Sequence, residues 1–476
     1  MATAPIILKD SFQKVTWCSM KITTIRSEGL AALSYFVSSE NEAMVIDPRR
    51  DASVYDNLAK ESGVKITHIF ETHRNEDYVA GSLELQSYVP DAEIGHSEET
   101  KFGYGDLDIS DGEEFKIEKL KVTCLNTPGH TDDSMCYVVA DTSVGPDPIT
   151  MFTGDTLFVN EVGRTDLVDL TKHEQMSKKL YKSLHDKVLI HEDDVSIHPG
   201  HGAGSVCGGA ISEQETSTIG FERENNRWLS MDEDEFIRSK VNQRLTRSSY
   251  FKRCEKLNTD GAPLLSRLKP LQEFDVDEYE NLLVHPDHRG IDTRPSADYL
   301  DTHISGSISM SLKNIGQLAG WALRSNQTFT FILNDISDLE LAQNSLYRVG
   351  LDNIVGYLKG GFLGWSNSGK AVESIPTISS EDLSDALKRD SVRIIDVRES
   401  HEYEKEWIPT SRPSPLTRLE EEVTYLDTSE KIVTVCPSGF RSTTAASIMK
   451  RNGIDDVAVF LTGLKKWKAD GYPMEQ

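Results

Sequence analysis

The feature that most constrains the fold of this chain is a repeat. Ile291-Asp-Thr-Arg294-Pro-Ser-Ala-Asp-Tyr299 returns later as Ile395-Asp-Val-Arg398-Glu-Ser-His-Glu-Tyr403. Gly350-Leu-Asp-Asn-Ile354 and Gly360-Gly-Phe-Leu-Gly-Trp365 return in the same order as Gly453-Ile-Asp-Asp-Val457 and Gly463-Leu-Lys-Lys-Trp467. Self-similarity over this span means two copies of one domain, each expected to be a small parallel sheet flanked by helices. The join between them falls near Glu373 to Thr377, which gives copies at 270–372 and 376–476.

The stretch before the repeat, 1–265, has short apolar runs at Ala43 to Ile46, Ile66 to Phe70, Lys121 to Cys124, Met135 to Ala140 and Ile149 to Phe152. Turns separate them, and helical stretches such as His173 to Leu184 lie between. This is an α/β layer pattern. A polar, charge-rich segment from Glu222 to Arg253 and the Gly261-Ala-Pro263 turn mark the first join. At roughly 100–200 residues per domain, 476 residues accommodate three.

The net charge of −26 excludes nucleic acid and an anionic membrane as expected partners, since either requires a concentrated basic face. The six cysteines, Cys18, Cys124, Cys136, Cys207, Cys254 and Cys436, include no C-x-x-C pair and are too scattered for a disulfide framework, so a reducing compartment is expected. Met1-Ala-Thr-Ala-Pro-Ile-Ile-Leu has no basic region, and no apolar run reaches membrane-spanning length. The expectation is a cytoplasmic protein without a membrane partner, assembled as a homo-oligomer.

Chemistry enters at Cys436-Pro-Ser-Gly-Phe-Arg441-Ser. The loop follows an apolar strand pattern, Ile432 to Val435, and leads into residues of helical composition from Thr443 to Met449. Cys436 therefore stands at a strand-to-helix turn, where the helix N-terminus and Arg441 are expected to stabilise a thiolate or a persulfide carried on it. A buried apolar cysteine is the plainer alternative. With Asp396-Val-Arg398 upstream, the last copy resembles a rhodanese, a domain that carries a sulfane sulfur on its cysteine. The matching position in the earlier copy is Leu333, within Phe-Ile-Leu333-Asn-Asp-Ile-Ser-Asp338. Leucine carries no sulfur and the acidic neighbours repel an anionic one, so the middle copy is read as structural.

Four Gly-, Thr- or Pro-flanked turns in the first segment hold metal-ligand residue types: Thr72-His73-Arg-Asn75-Glu76-Asp77-Tyr78, Pro128-Gly-His130-Thr, Thr153-Gly-Asp155-Thr and Pro199-Gly-His201-Gly. Several such residues, each after a strand-like run, can converge at one sheet edge. Their order resembles the metallo-β-lactamase fold, an αββα sandwich. Ile46-Asp-Pro-Arg-Arg50-Asp51 and Val162-Gly-Arg164-Thr-Asp166-Leu resemble its persulfide dioxygenase branch. The usual His-x-His-x-Asp-His motif serves two metals, but here Asn75 and Tyr78 replace two histidines. His73, His130 and Asp155 remain, two imidazoles and one carboxylate, the ligand set of an open-sided Fe(II) site. In persulfide dioxygenases the matching residues are the iron ligands, which implies one Fe(II) per chain.

Asp77, His201 and Tyr78 are expected to support that site from behind its ligands, direct ligation by Asp77 and His201 being the alternative. Arg164 is a candidate for binding the carboxylate or phosphate of a thiol cofactor, against a plain salt bridge. Cys207 is either a sulfur relay or a packed structural cysteine. Asp47 is expected to support the scaffold, and Cys124 and Cys136 to lie in the core.

The whole layout resembles bacterial fusions of a persulfide dioxygenase with a cysteine-less and an active rhodanese. That resemblance implies oxidation of a thiol persulfide (glutathione, coenzyme A or bacillithiol type) with O2 to sulfite, followed by sulfur transfer giving thiosulfate, in sulfide detoxification. A zinc thioesterase or lactone hydrolase on the same scaffold, and a non-catalytic sulfur-relay protein, are the alternatives.

Overall fold

The computed structural model describes residues 19–476 apart from Arg244, Thr246 and Ser249, so Cys18 lies outside the described residues. Among the described residues the first segment forms two six-stranded sheets. One runs in chain order through Met20–Ser27, Ala32–Ser39, Glu42–Ile46, Lys65–Phe70, Glu93–Ser97 and Leu107–Ile109, its first three strands antiparallel and the rest parallel. The other contains Glu114–Ile117, Leu120–Asn126, Met135–Asp141, Thr150–Gly154, Ser196–Pro199 and Ser217–Thr218, with a parallel pair at Thr150–Gly154 and Ser196–Pro199.

The sheets face each other across Tyr35, Phe70, Tyr137 and Phe152, with Phe70 and Tyr137 stacked at 5.0 Å. Helices Ser53–Ser62 and Ser82–Tyr88 cover one outer face, where Tyr55 and Leu85 join a second apolar cluster. Helices His173–Ser183 and Glu233–Asn242 cover the other, around Leu180 and Phe236. Because both faces of each sheet are covered, strands such as Ala32–Ser39 are buried at every residue and lack clean alternation. The result is an αββα sandwich.

The charge-rich segment from Glu222 to Arg253 is more ordered than its composition implies. It contains helix Glu233–Asn242, capped by the Asp232 carboxylate on the Glu235 N–H at 2.8 Å, and the start of helix Phe251–Asp260. Trp228, Phe236, Tyr250 and Phe251 are buried. A few large apolar side chains at spaced positions secure it, and Glu222 and Lys240 are buried with them.

The repeat appears as two parallel sheets, ordered Gln272–Phe274, Ile354–Leu358, Thr328–Ile332, His288–Asp292, Ile308–Ser309 in the earlier copy, and Arg412–Pro413, Val392–Asp396, Lys431–Val435, Val457–Val459 in the later. The same residues hold both. Arg294 Nη2 bonds Asp292 at 2.7 Å and Arg398 Nη2 bonds Asp396 at 2.6 Å. Tyr299 donates to Ser307 O and Tyr403 to Ser411 O, and the Trp365 and Trp467 indoles donate to Ala371 O and Pro473 O.

One apolar cluster runs through all three domains, from Tyr78 and Phe251 through Trp321 and Leu346 to Leu416 and Met449. Buried ion pairs fasten the first domain to the middle one: Arg348 bonds Asp51 at 2.7 and 2.6 Å, and Arg50 bonds Asp352 at 2.5 and 2.8 Å. The middle domain is fastened to the last by Thr444 donating to Ser309 O and by the Arg451 guanidinium on the carbonyls of Gly306 and His288. Among the described residues no helix is long and apolar enough to cross a membrane.

Candidate metal centre and cysteine loop

His73, His130, Asp155 and His201 lie in the turns after strands Lys65–Phe70, Leu120–Asn126, Thr150–Gly154 and Ser196–Pro199, and the sandwich brings these turns together. One potential ligand atom from each of His73, His130 and Asp155 lies within 4.8 Å of the others, and all three residues are buried. His73 Nε2 is 3.8 Å and His130 Nε2 3.4 Å from Asp155 Oδ2. Gly163 permits this packing: a Cβ there would lie 2.1 Å from the Asp155 carbonyl oxygen and 3.1 Å from His130.

Groups behind the ligands fix the two imidazoles. Thr72 Oγ1 donates to Asp47 Oδ2 at 2.7 Å, so its lone pair receives the His73 Nδ1–H at 2.9 Å. His130 Nδ1 lies 2.9 Å from the Arg164 carbonyl, which only accepts. Both hydrogens therefore sit on Nδ1, and both Nε2 lone pairs face inward, buried and without a hydrogen-bond partner. Asp47 holds Thr72 from a left-handed backbone (φ 50°), and burial pushes its own carboxyl up to about 7. Burial lowers His73, whereas Glu76 and Asp155 raise His130 despite its burial. The pocket calls for positive charge, and these donors fit a divalent metal.

His201 is built differently. Its Nδ1 is 2.8 Å from Asp155 Oδ1 and its Nε2 is 3.2 Å from Asp77 Oδ2. Burial opposes a charge here, but the two carboxylates raise His201 well above its ordinary value. His201 thus faces a carboxylate from each ring nitrogen, and its Nε2, like those of His73 and His130, is buried without a hydrogen-bond partner. Asp77, His201 and Cys207 do approach within ligand range of one another.

Asn75 and Tyr78, the positions that depart from the two-metal motif, are anchored by a residue the sequence did not point to. Asn258, on helix Phe251–Asp260, donates to Asn75 O at 2.6 Å and Tyr78 O at 2.7 Å, and accepts from Ala80 N at 2.8 Å. Tyr78 is buried with its ring 6.0 Å from that of His201. Glu76 was also passed over: its Oε2 lies 3.5 Å from His130 Nε2 and 4.0 Å from His73 Nε2. A carboxylate inside a histidine-rich turn was the available signal.

Arg164 is paired within the protein. It is fully buried, bonds Asp166 twice at 2.7 Å, and donates to the carbonyls of Val206 at 3.1 Å and Leu245 at 3.3 Å, bracing the segment that carries Cys207. The Cys207 thiol is buried 3.4 Å from Glu76 Oε1; burial, then the nearby acids, push it well above its ordinary value. Cys124 and Cys136 are core residues. The chain after His201 lines two clefts: one of 480 Å³ that includes Gly202 and Gly204, and one of 520 Å³ that includes Val206, Gly208, Trp321 and Arg441.

In the last domain the Cys436 Sγ accepts the Gly439 N–H at 3.1 Å, at the turn between strand Lys431–Val435 and helix Phe440–Arg451. Gly439, at φ 86°, makes the turn, and a Cβ there would lie 2.0 Å from the Leu461 carbonyl oxygen. Arg441 does not point its charge at the sulfur alone: Nη1 and Nη2 bond the Glu402 carboxylate at 2.6 and 2.9 Å. At Leu333 the matching loop is closed by Asp335, whose carboxylate accepts from the Ser337 N–H and hydroxyl at 2.9 and 2.8 Å.

Comparison with known proteins agrees with this division. Residues 28–201 match the metallo-beta-lactamase superfamily, and 275–368 and 379–470 each match the rhodanese-like domain. A metallo-beta-lactamase crystal structure from Staphylococcus aureus superimposes with a TM-score of 0.64 at 28% identity, covering 71% of this chain and 99% of that one. The mitochondrial persulfide dioxygenase ETHE1 of Homo sapiens is 27% identical over 238 residues, 49% of this chain and 80% of the relative. The mitochondrial hydroxyacylglutathione hydrolase of Saccharomyces cerevisiae is 32% identical over 181 residues, 35% of this chain and 60% of the relative.

Proposed function

We propose, from the match of residues 28–201 to the metallo-beta-lactamase superfamily and of the rest to two rhodanese-like domains, that the chain oxidises low-molecular-weight thiol persulfides with O2 and transfers sulfur at Cys436. One observation carries the reading: two imidazole lone pairs and a carboxylate converge at a single buried point, while His201 is held between carboxylates on both ring nitrogens. That is a site for one metal with open positions, and two-imidazole, one-carboxylate ligation suits Fe(II).

Bound iron would supply the one-electron chemistry through which O2 reacts with closed-shell sulfur. Asp47 and Thr72 orient His73, the Arg164 carbonyl orients His130, and His201 orients Asp155. The outer sulfur of R–S–SH acquires both oxygens of O2 and one from water and leaves as sulfite, and the inner sulfur leaves as the thiol R–SH. At the other site, the Cys436 thiolate attacks the outer sulfur of a second persulfide and releases R–SH. Sulfite then attacks the carried sulfur; the S–S bond breaks, its electron pair returns to Cys436, and thiosulfate leaves. The thiol is of the glutathione, coenzyme A or bacillithiol type, and the cell compartment is the cytoplasm.

A thioester hydrolase is the second reading, supported by the hydrolase among the relatives and by the Asp77, His201 and Cys207 cluster. Metal analysis of anaerobically purified protein separates them. One iron per chain, lost in His73→Ala and Asp155→Ala, supports the dioxygenase; two zinc ions per chain in active protein would replace it with the hydrolase.

A further inference from the structure

Glu76 is a carboxylate beside His73 and His130 that the three-residue ligand set leaves without a task. It is buried, at 1% exposure, and its Oε2 accepts no hydrogen bond. The nearest nitrogens are His130 Nε2 at 3.5 Å and His73 Nε2 at 4.0 Å. These are the two atoms left without hydrogens once Thr72 and the Arg164 carbonyl have engaged the Nδ1–H groups. The two nitrogen lone pairs therefore face two carboxylate oxygens, Asp155 Oδ2 at 3.8 and 3.4 Å and Glu76 Oε2 at 4.0 and 3.5 Å. Unpaired, that arrangement is repulsive and costly to bury; a cation at its centre turns all four into ligands.

The other Glu76 oxygen is held from outside, with the Cys207 thiol 3.4 Å from Oε1. Arg164 in turn fixes the Cys207 segment through the carbonyl of Val206, and its own N–H bonds the Cys207 carbonyl at 3.3 Å. The carboxylate is thus oriented with one oxygen turned into the pocket, as ligating carboxylates are by their outer partners.

We propose that Glu76 is a fourth protein ligand of the metal, so that the site holds a divalent cation with two imidazoles and two carboxylates. The proposal rests on the single-metal reading above. The two carboxylates would neutralise a divalent ion, and the two imidazoles would complete its protein ligands. Asn75 and Tyr78, where a two-metal enzyme has histidines, are consistent with a turn that supplies a carboxylate from the position between them.

The test is anaerobic titration of the metal-free full-length protein with Fe(II), and separately with Co(II), whose visible d–d bands report coordination number. Wild type, Glu76→Gln, Glu76→Ala, Glu76→Asp and His73→Ala are compared, with Cys436 sulfur transfer from thiosulfate to cyanide as a fold control unaffected by the metal site. The expected result is a loss of Fe(II) affinity greater than about 100-fold in Glu76→Ala, beyond the roughly 10- to 100-fold typical of outer groups. Glu76→Gln should shift the Co(II) bands, and Glu76→Asp should recover part of the affinity.

Wild-type affinity and an unchanged Co(II) spectrum in Glu76→Gln would overturn the proposal, leaving Glu76 as an ion-pair partner of a doubly protonated His130. If wild type binds no metal, or His73→Ala binds it as well as wild type, the single-metal reading fails first. Should Glu76→Ala lose sulfur transfer through misfolding, the isosteric Glu76→Gln spectrum still decides.

Discussion

The two rhodanese-like domains share a sheet order, an Asp-x-Arg clamp, a tyrosine lock and a tryptophan anchor, and they differ at one loop. In the later copy the loop directs the Gly439 N–H at a sulfur; in the earlier copy Asp335 takes its own loop N–H at Ser337, and the side chain at the sulfur position is Leu333. The lesson is that the fold and the chemistry are separable here: the clamp, lock and anchor maintain the domain, and a few loop atoms decide whether it carries sulfur. The middle copy also braces its neighbours, through Arg348, Asp352 and Ser309.

The sharpest way to break this comparison is Cys436→Ser. Transfer of sulfur from thiosulfate to cyanide should fall to background, since a serine hydroxyl carries no persulfide; residual transfer above one hundredth of wild type would place a second sulfur carrier elsewhere in the chain. Next in size is the bracing role. Arg348→Ala leaves Asp51 buried beside Arg49 without its guanidinium partner and should lower stability in denaturant titration by about 3 kcal/mol. A change under about 0.5 kcal/mol would mean that the middle copy is not a brace at this contact.

Acid should act on the middle copy more than on the last. Burial pulls His288 and His303 down to about 4, and both belong to the middle copy, whereas the last contains only His401. The unfolded chain, with histidine near 6.5, binds more protons between those values. Their stability contribution is therefore complete above about pH 6.5 and is lost as pH falls toward 4, by up to roughly 3 kcal/mol per histidine. Hydrogen exchange at pH 7.5 and pH 5 should show the middle sheet loosening at the lower pH, and His303→Gln should reduce the effect. Equal loosening of both sheets would contradict it. The smallest expected effect is that of Leu333→Cys, which should yield less than about 1% of wild-type cyanide-releasable sulfur in a Cys436→Ser background, because the acidic residues beside it, Asp335 and Asp338, disfavour an anionic sulfur. A stoichiometric yield would show that the loop is competent and lacks only its thiol.

Much of this was legible in the sequence because the signals were local. Repeated clamps and Gly-flanked histidines mark their own turns, and the strand runs near Ile66, Met135 and Ile432 are short and apolar. What was hidden depends on distant partners. Asn258 is an ordinary helix residue until the fold lays it against Asn75 and Tyr78, and the buried pairing of Arg164 with Asp166 is written in no periodicity. The segment from Glu222 to Arg253 reads as a linker by composition, yet Trp228 and Phe236 secure it to the sandwich. Glu76 was passed over because charged residues in turns ordinarily face water.

The central claim is a division of labour between one metal site and one cysteine, and it is tested by following oxygen uptake and products with a small-molecule persulfide in the full chain. Cys436→Ser should keep oxygen uptake and iron while shifting product from thiosulfate to free sulfite. Asp155→Ala should lose both iron and oxygen uptake but retain transfer between thiosulfate and cyanide. If Cys436→Ser loses oxygen uptake as completely as Asp155→Ala with its iron intact, the cysteine delivers substrate to the metal instead of processing its product, and the account is contradicted.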